Sequence, residues 1–206
     1  MMKKVLITGI SGFAGRHLAK HLLKKGDYSI FGTYNSKKSL KVLENIRESV
    51  HSLKIDLTDI DKTHELLRAE KPDYVYHLAA LTSPAESFQT PLKTIRDNVA
   101  MEINLLEAIR KEELHKTRIL IVSSADIYGI VEKNDLPINE ETQFHPTNPY
   151  AISKLTQDFL GYQYAIAYNL KIIRVRPFNH IGPFKSPQFV VSAFAKSMSR
   201  SVSGLN

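Results

Sequence analysis

Lys4-Val5-Leu6-Ile7-Thr8-Gly9-Ile10-Ser11-Gly12-Phe13-Ala14-Gly15-Arg16-His17-Leu18 is the stretch on which the fold turns. Its first part is a short apolar run, the pattern of a buried strand, and its second part opens a helical periodicity that continues to Lys25. Small residues at 9, 12 and 15 separate the two. A glycine spacing alone is a weak signal, but a strand before it and a helix after it turn it into a phosphate site. The glycines permit a tight turn and close backbone approach, and the first amides of the helix face the anion. Gly9, Ser11, Gly12, Phe13 and Gly15 are therefore candidate residues for a dinucleotide pyrophosphate. Lys3 and Lys4 ahead of the apolar run imitate a signal peptide, yet Thr8, Gly9, Ser11 and Gly12 interrupt that run and Arg16 follows too soon.

Outward from this turn, the alternation of strand and helix recurs. Strands are expected at 4–8, 29–34, 51–55, 74–78, 118–123 and 171–176, and helices near 12–25, 38–48, 59–70, 91–111 and 149–169. Such alternation specifies an α/β fold, a Rossmann-type doubly wound parallel sheet whose right-handed crossovers bring the strand C-termini to one edge. Ile119-Leu120-Ile121-Val122 is apolar without interruption and is expected at the sheet centre, covered on both faces. Residues 126–149, with Gly129, Pro137, Pro146 and Pro149, read as an irregular excursion over the sheet edge, the kind of loop that carries binding residues. Beyond Pro177 the rhythm changes: Pro183 and Pro187 break the chain, and a helix starts at Phe189 and fades near Ser201. The expected division is a dinucleotide-binding domain with the catalytic residues at 1–177 and the beginning of an incomplete substrate-binding domain at 178–206.

Composition narrows the function. A length of 206 residues suits one domain, or one domain and a fragment of another. The absence of cysteine excludes disulfide frameworks, thiolate nucleophiles and cysteine-bound metals, and agrees with a cytoplasmic location. No apolar stretch approaches the length of a bilayer span, so no membrane partner is expected. The net charge of +7 is scattered from Lys3 to Arg200 without a basic aromatic stripe, which points to phosphate-bearing small molecules and not to nucleic acid. His17 and His21 lie at i, i+4 but lack a third ligand, so they read as part of an amphipathic helix and no metal site is expected.

At the end of the second strand, an acidic residue would take the ribose hydroxyls of NAD. Thr33-Tyr34-Asn35-Ser36-Lys37-Lys38 supplies none; Asn35, Lys37 and Lys38 favour a 2′-phosphate, so NADP(H) is expected, with NAD(H) as the alternative. Tyr-x-x-x-Lys occurs twice in the chain. Tyr34/Lys38 falls at the adenosine end of such a cofactor, far from the reactive ring. Tyr150/Lys154 follows the strand that ends in Ser123-Ser124, and its i, i+4 spacing puts both side chains on one helical face. Lowering a phenol from about 10 to about 7 takes roughly 4 kcal/mol. A cation at about 4 Å supplies energy of that order at an effective dielectric of about 20. Lys154, together with an oxidised nicotinamide, is thus expected to poise Tyr150 near neutrality.

Taken in order, Thr8-Gly9-x-x-Gly12-x-x-Gly15, Asp56-Leu57, His77-Leu78-Ala79-Ala80, Asn98, Ser123-Ser124-Ala125-Asp126-Ile127-Tyr128-Gly129, Tyr150-x-x-x-Lys154 and Arg176-Pro177-Phe178-Asn179 resemble the extended short-chain dehydrogenase/reductase family of nucleotide-sugar epimerases, dehydratases and reductases. The resemblance covers nearly the whole chain. It implies that Ser124 holds the substrate oxygen, Tyr150 is the acid/base and Lys154 its cation. It further implies that Asp56 and Leu57 meet the adenine, that Leu78, Ala79, Ala80 and Asn98 line the route to the nicotinamide, and that Pro177 and Asn179 complete that wall. Ser83, Ser87, Asn179 and His180 would face the sugar, although turn formation explains such residues equally well. A homodimer through the helices at 91–111 and 149–169 is implied as well; core packing alone also accounts for their apolar faces.

Dehydratases of this family carry a Glu two positions after the catalytic hydroxyl residue. This chain has Asp126 there, a shorter carboxylate, which disfavours dehydration. Pro177-Phe178-Asn179-His180-Ile181-Gly182-Pro183 is most similar to the branch that reduces GDP-linked 4-keto-6-deoxy sugars, so reduction at C4 by NADPH is expected, with 4-epimerisation and 4,6-dehydration as alternatives. A different class of reading is a cofactor-binding fragment with impaired catalysis.

Overall fold

A computed structural model describes residues 2–187 and 189–202, with the side chains of 37–41 and 202 outside that description. Strands β1 (Lys3–Thr8), β2 (Tyr28–Tyr34), β3 (His51–Lys54), β4 (Tyr74–His77), β5 (Arg118–Val122) and β6 (Lys171–Val175) form a 6-stranded sheet in the order β3-β2-β1-β4-β5-β6. Every neighbouring pair is parallel. The chain steps outward from β1 to β3, then returns to lay β4 on the other side of β1. Doubly wound sheets open a crevice at that reversal, outside the strand C-termini. The expected strands are all present, four of them ending one residue sooner than expected, at Lys54, His77, Val122 and Val175.

The crossovers are α1 (Phe13–Lys25), α2 (Ile60–Glu70), α3 (Pro84–Gln89), α4 (Pro91–Lys111) and α5 (Pro149–Tyr168); α6 (Val190–Val202) follows the last strand. The helix expected at 38–48 is instead a 3₁₀ segment, Lys37–Ser49. Its buried Leu43 and Ile46 are spaced by three, the repeat that keeps one side inward in the tighter helix. The short α3 was not foreseen. Ser83 caps it by accepting from Glu86 N at 3.2 Å, with Pro84 in the first turn.

One face of the sheet packs Leu6, Val75, Ile119 and Ile121 against Leu66 and Leu67 of α2, Leu105, Leu106 and Ile109 of α4, and Tyr164 of α5. The other packs Val5, Ile7 and Ile30 against Ala19 and Leu22 of α1 and Leu43, Ile46 and Val50. β1 is thus buried on both sides, each fully buried side chain contributing about 1.5–3 kcal/mol. β5 departs from expectation: it is second from the edge, and Leu120 and Val122 are only partly buried. Neither side chain joins a core cluster, because the layer of α1 and the 3₁₀ segment covers β1 and β2. Among the described residues no helix is long and apolar enough to cross a membrane.

Candidate active site

The mouth of the crevice is built from bare backbone. Gly9 has φ +68, and a Cβ there would lie 3.0 Å from both Ala79 N and Ala79 Cα. Gly15 is closed to any side chain, its Cβ position being 2.5 Å from the Gly9 carbonyl oxygen. α1 begins at the edge of this turn with no side-chain cap and no acidic residue in its first turn, which leaves its amides to an anion. Ser11 and Phe13 stand half-buried at the rim. This cradle fits a dinucleotide pyrophosphate.

Thr8 ties the two sides of the crevice together. Its Oγ1 accepts from Leu78 N at 3.0 Å and Ala79 N at 3.1 Å. With both lone pairs used, its proton goes to His77 Nδ1, 2.9 Å away, which places the imidazole proton on Nε2. Burial drives His77 down to about 3, and the Lys154 charge acts in the same direction. Leu78, Ala79 and Ala80 are half-buried along the crevice wall.

Asn35 is exposed at the end of β2, while the side chains of Lys37 and Lys38 lie outside the described residues. Asp56 forms an Asx turn, accepting from Thr58 N at 3.0 Å and Thr58 Oγ1 at 2.8 Å. Leu57 is buried, and its carbonyl accepts from Asn104 Nδ2 at 2.9 Å. Asn98, assigned to the cofactor wall, is fully buried. It accepts from Leu81 N at 2.7 Å and donates to Leu81 O and Ser153 Oγ. Its polar atoms are spent on fixing the loop after β4 against α5.

α5 presents Tyr150 in its first turn because Asn148 caps it, accepting from Ala151 N at 2.8 Å, with Pro149 pre-set for the first helical position. Ser123 Oγ donates to Lys154 O at 3.1 Å and docks the helix on the end of β5. Ser124 caps the 3₁₀ turn Ala125–Ile127 and accepts from Asp126 N at 3.2 Å. Burial raises the Tyr150 phenol above its ordinary value, Asp126 adds to the rise, and the counteracting group is the Ser124 hydroxyl, not Lys154. Lys154 is almost fully buried, donates to Gln157 Oε1 at 2.7 Å, and is lowered by burial to about 8. Burial also raises the half-buried Asp126.

The residues expected to face the sugar divide. Asn179 and His180 are exposed, and Pro177 O accepts from Ala125 N at 3.0 Å, joining the end of β6 to the Ser124 turn. Ser83 is the cap of α3. Ser87 is completely buried and donates to Pro84 O at 2.6 Å, so the turn-forming reading describes both serines. His17 bonds Pro183 O at 3.1 Å through Nε2. The buried Asp158 of α5 receives Arg174 and Arg176; Arg176 also reaches Tyr128 Oη at 3.2 Å and the Glu140 carbonyl at 2.9 Å. Glu102 and Gln157, both fully buried beside this site, were not foreseen. The signal for Glu102 was a polar side chain repeating every four residues, Thr94-Asn98-Glu102, along α4.

A glycine cradle at the β1/β4 reversal, with Ser124, Tyr150 and Lys154 gathered on the same sheet edge, places the chain in the class of extended short-chain dehydrogenases/reductases. The family model described as GDP-mannose 4,6 dehydratase matches residues 6–206, and the chain belongs to that family. GDP-6-deoxy-D-mannose reductase of Pseudomonas aeruginosa is 35% identical over 205 residues, covering 100% of this chain and 61% of that protein. GDP-mannose 4,6-dehydratase of Yersinia enterocolitica is 32% identical, with 99% and 57% covered. The structure of RMD from Pseudomonas aeruginosa complexed with NADPH aligns with 100% of this chain and 63% of its own, at 33% identity and a TM-score of 0.84. UDP-glucose 4-epimerase from Thermotoga maritima, solved with UDP-glucose, aligns with 96% and 63% at 28% identity and a TM-score of 0.87. The chain spans 57% to 61% of the length of the two curated relatives.

Proposed function

We propose that the chain carries out NADP(H)-dependent reduction of a GDP-4-keto-6-deoxy-hexose at C4. The observation that carries this reading is the placement of Tyr150, a partly buried phenol in the first turn of α5 beside the Ser124 hydroxyl, with the buried Lys154 one turn further on. A group that keeps its proton at neutral pH is suited to give one to a developing alkoxide. Ser124 Oγ orients the C4 carbonyl by hydrogen bonding to its oxygen, and Tyr150 transfers its proton to that same oxygen. Lys154, one turn further along α5, stabilises the phenolate that remains. NADPH, when bound, supplies the hydride. The Gly9–Gly15 backbone and the first amides of α1 hold the pyrophosphate, Asp56 and Leu57 the adenine end, and Asn35, Lys37 and Lys38 the 2′-phosphate. The Leu78–Ala80 wall, Pro177 and Asn179 flank the ring, with Asn179 and His180 towards the sugar.

The relative named as a GDP-6-deoxy-D-mannose reductase and the structure titled with NADPH support this choice. Relatives named as dehydratases and an epimerase solved with NAD keep the competing reactions in view. Asp126, a half-buried carboxyl two residues after Ser124 where dehydratases of the family carry a longer Glu, disfavours dehydration. The deciding experiment incubates the chain with GDP-4-keto-6-deoxymannose and NADPH, and separately with GDP-mannose, following reduced-cofactor absorbance and the sugar product. Consumption of NADPH with formation of a GDP-6-deoxyhexose is expected. A 4-keto product from GDP-mannose moves the assignment to dehydratase, and cofactor binding without turnover moves it to a cofactor-binding module. A second copy of the chain is the proposed partner of α5, whose Ile152, Phe159 and Ile166 recur every seven residues and are exposed.

A further inference from the structure

Thr94, Asn98 and Glu102 lie on one side of α4, four residues apart, and all three are buried where α4 packs on α5. Asn98 is fully hydrogen-bonded, but Glu102 is 0% exposed, with the Gln157 side chain as its polar neighbour and no ion pair among the described residues. A carboxyl in that state is costly, and nothing in the packing of two helices requires one. Its surroundings supply the reason. From α5 it is faced by Lys154, Gln157 and Asp158. β4 contributes the neutral His77, which senses the Lys154 charge. α2 packs on α4 through Thr63, Leu66 and Leu67, and its ionisable His64 and Arg68 meet Glu112 at the C-terminal cap of α4, away from Glu102 in the sequence of that helix. Asp158 is already engaged by Arg174 of β6 and Arg176 just after it. Lys154, in contrast, makes no ion pair among the described residues, its ammonium donating to Gln157. Glu102 is therefore the carboxyl left to balance Lys154.

We propose that Glu102 is a positioning residue that sets the charge of Lys154: a carboxyl and an amine buried on adjacent helices share their protons, so the ammonium one turn from Tyr150 persists because Glu102 can ionise opposite it. Burial raises Glu102 to about 8 and lowers Lys154 to about 8, and each group draws the other back towards its charged form. The pair titrates as a unit. When the neutral pair becomes the ion pair, the Glu102 O–H bond breaks and an N–H bond forms on Lys154, and no proton leaves. At higher pH one proton passes from the pair to solvent. The inference rests on the reductase reading only in naming Tyr150 as the group that feels this charge; the coupling itself stands without turnover.

The test is an NMR titration of the ε-carbon of Lys154, assigned by its loss in Lys154→Met. Glu102→Gln, which keeps the size and removes the charge, is expected to lower the Lys154 midpoint by about one pH unit, a roughly tenfold loss of proton affinity. Glu102→Asp should restore most of that loss. An unchanged midpoint in Glu102→Gln overturns the proposal. If that variant does not fold, the wild-type protein decides: Glu102 δ-carbon and Lys154 ε-carbon signals moving together support the pair, and a Glu102 that titrates in the ordinary carboxylate range overturns it. Where turnover is present, the alkaline limb of its pH profile should follow the Lys154 midpoint to lower pH. A shifted midpoint in a protein without turnover leaves the pairing intact and removes only the reductase assignment.

Discussion

His77 makes the acid sensitivity of the fold calculable. Its imidazole is buried, accepts the Thr8 hydroxyl at Nδ1, and titrates at about 3 in the native protein. A free imidazole titrates near 6.5. Between those values the unfolded chain binds a proton that the native chain refuses, so stability falls as pH falls through the window and is fully retained above it. At about pH 5 the unfolded state gains RT ln(1 + 10^1.5), roughly 2 kcal/mol, and the native state gains almost nothing. His77→Asn removes the titration and keeps an acceptor for Thr8, because Asn Oδ1 falls close to the position of Nδ1. Urea unfolding of both proteins at about pH 7 and about pH 5 should show the wild type losing about 2 kcal/mol more than the variant. Other titrating groups, Glu102 included, act on both proteins and cancel in the comparison. Parallel pH dependences for the two proteins would refute the reasoning, since they would mean that His77 is protonated as readily inside the fold as outside it.

Three further outcomes are expected. Tyr150→Phe should lower turnover by about 10²–10⁴-fold while NADPH affinity, followed by fluorescence titration, stays within about twofold. Gly15→Ala places a methyl group 2.5 Å from the Gly9 carbonyl oxygen; the turn must yield, with a stability loss of about 1–3 kcal/mol in urea melts and a weaker NADPH complex. Ile166→Asp, on the exposed side of α5, should convert a dimer into a monomer in light scattering with little change in urea midpoint, and an unaltered mass would point to a different interface.

What the sequence disclosed is what sits close together along it. The strands were legible because branched apolar runs are bounded by turn residues, and the glycine cradle and the Tyr150/Lys154 spacing are local patterns read off a strand end and a helical turn. The 3₁₀ segment was not, because burial of Leu43, Ile46 and Val50 suits either helical repeat. α3 is 6 residues long, too short for any periodicity, although Ser83-Pro84-Ala85-Glu86 carries a start signal. The position of β5 depends on strand order, which an apolar run does not encode. Distant pairings stayed hidden for the same reason. Thr8 meets His77, and Asn98 turns to Leu81 and Ser153, only after the sheet and helices have docked. The burial that raises the Tyr150 phenol was likewise not legible, because spacing reports reach along a helix and not what packs over it.

Arg176 touches the excursion after β5 through the Glu140 carbonyl, a backbone atom, while its guanidinium also grips Asp158 of α5. The loop is thereby fastened to the helix that bears Tyr150 by a contact indifferent to the side chain at 140. Residues 130–147 can accordingly diverge in composition with α5 held in the same place. Such an anchor ties the path of the loop to the helix while leaving its side chains free to change.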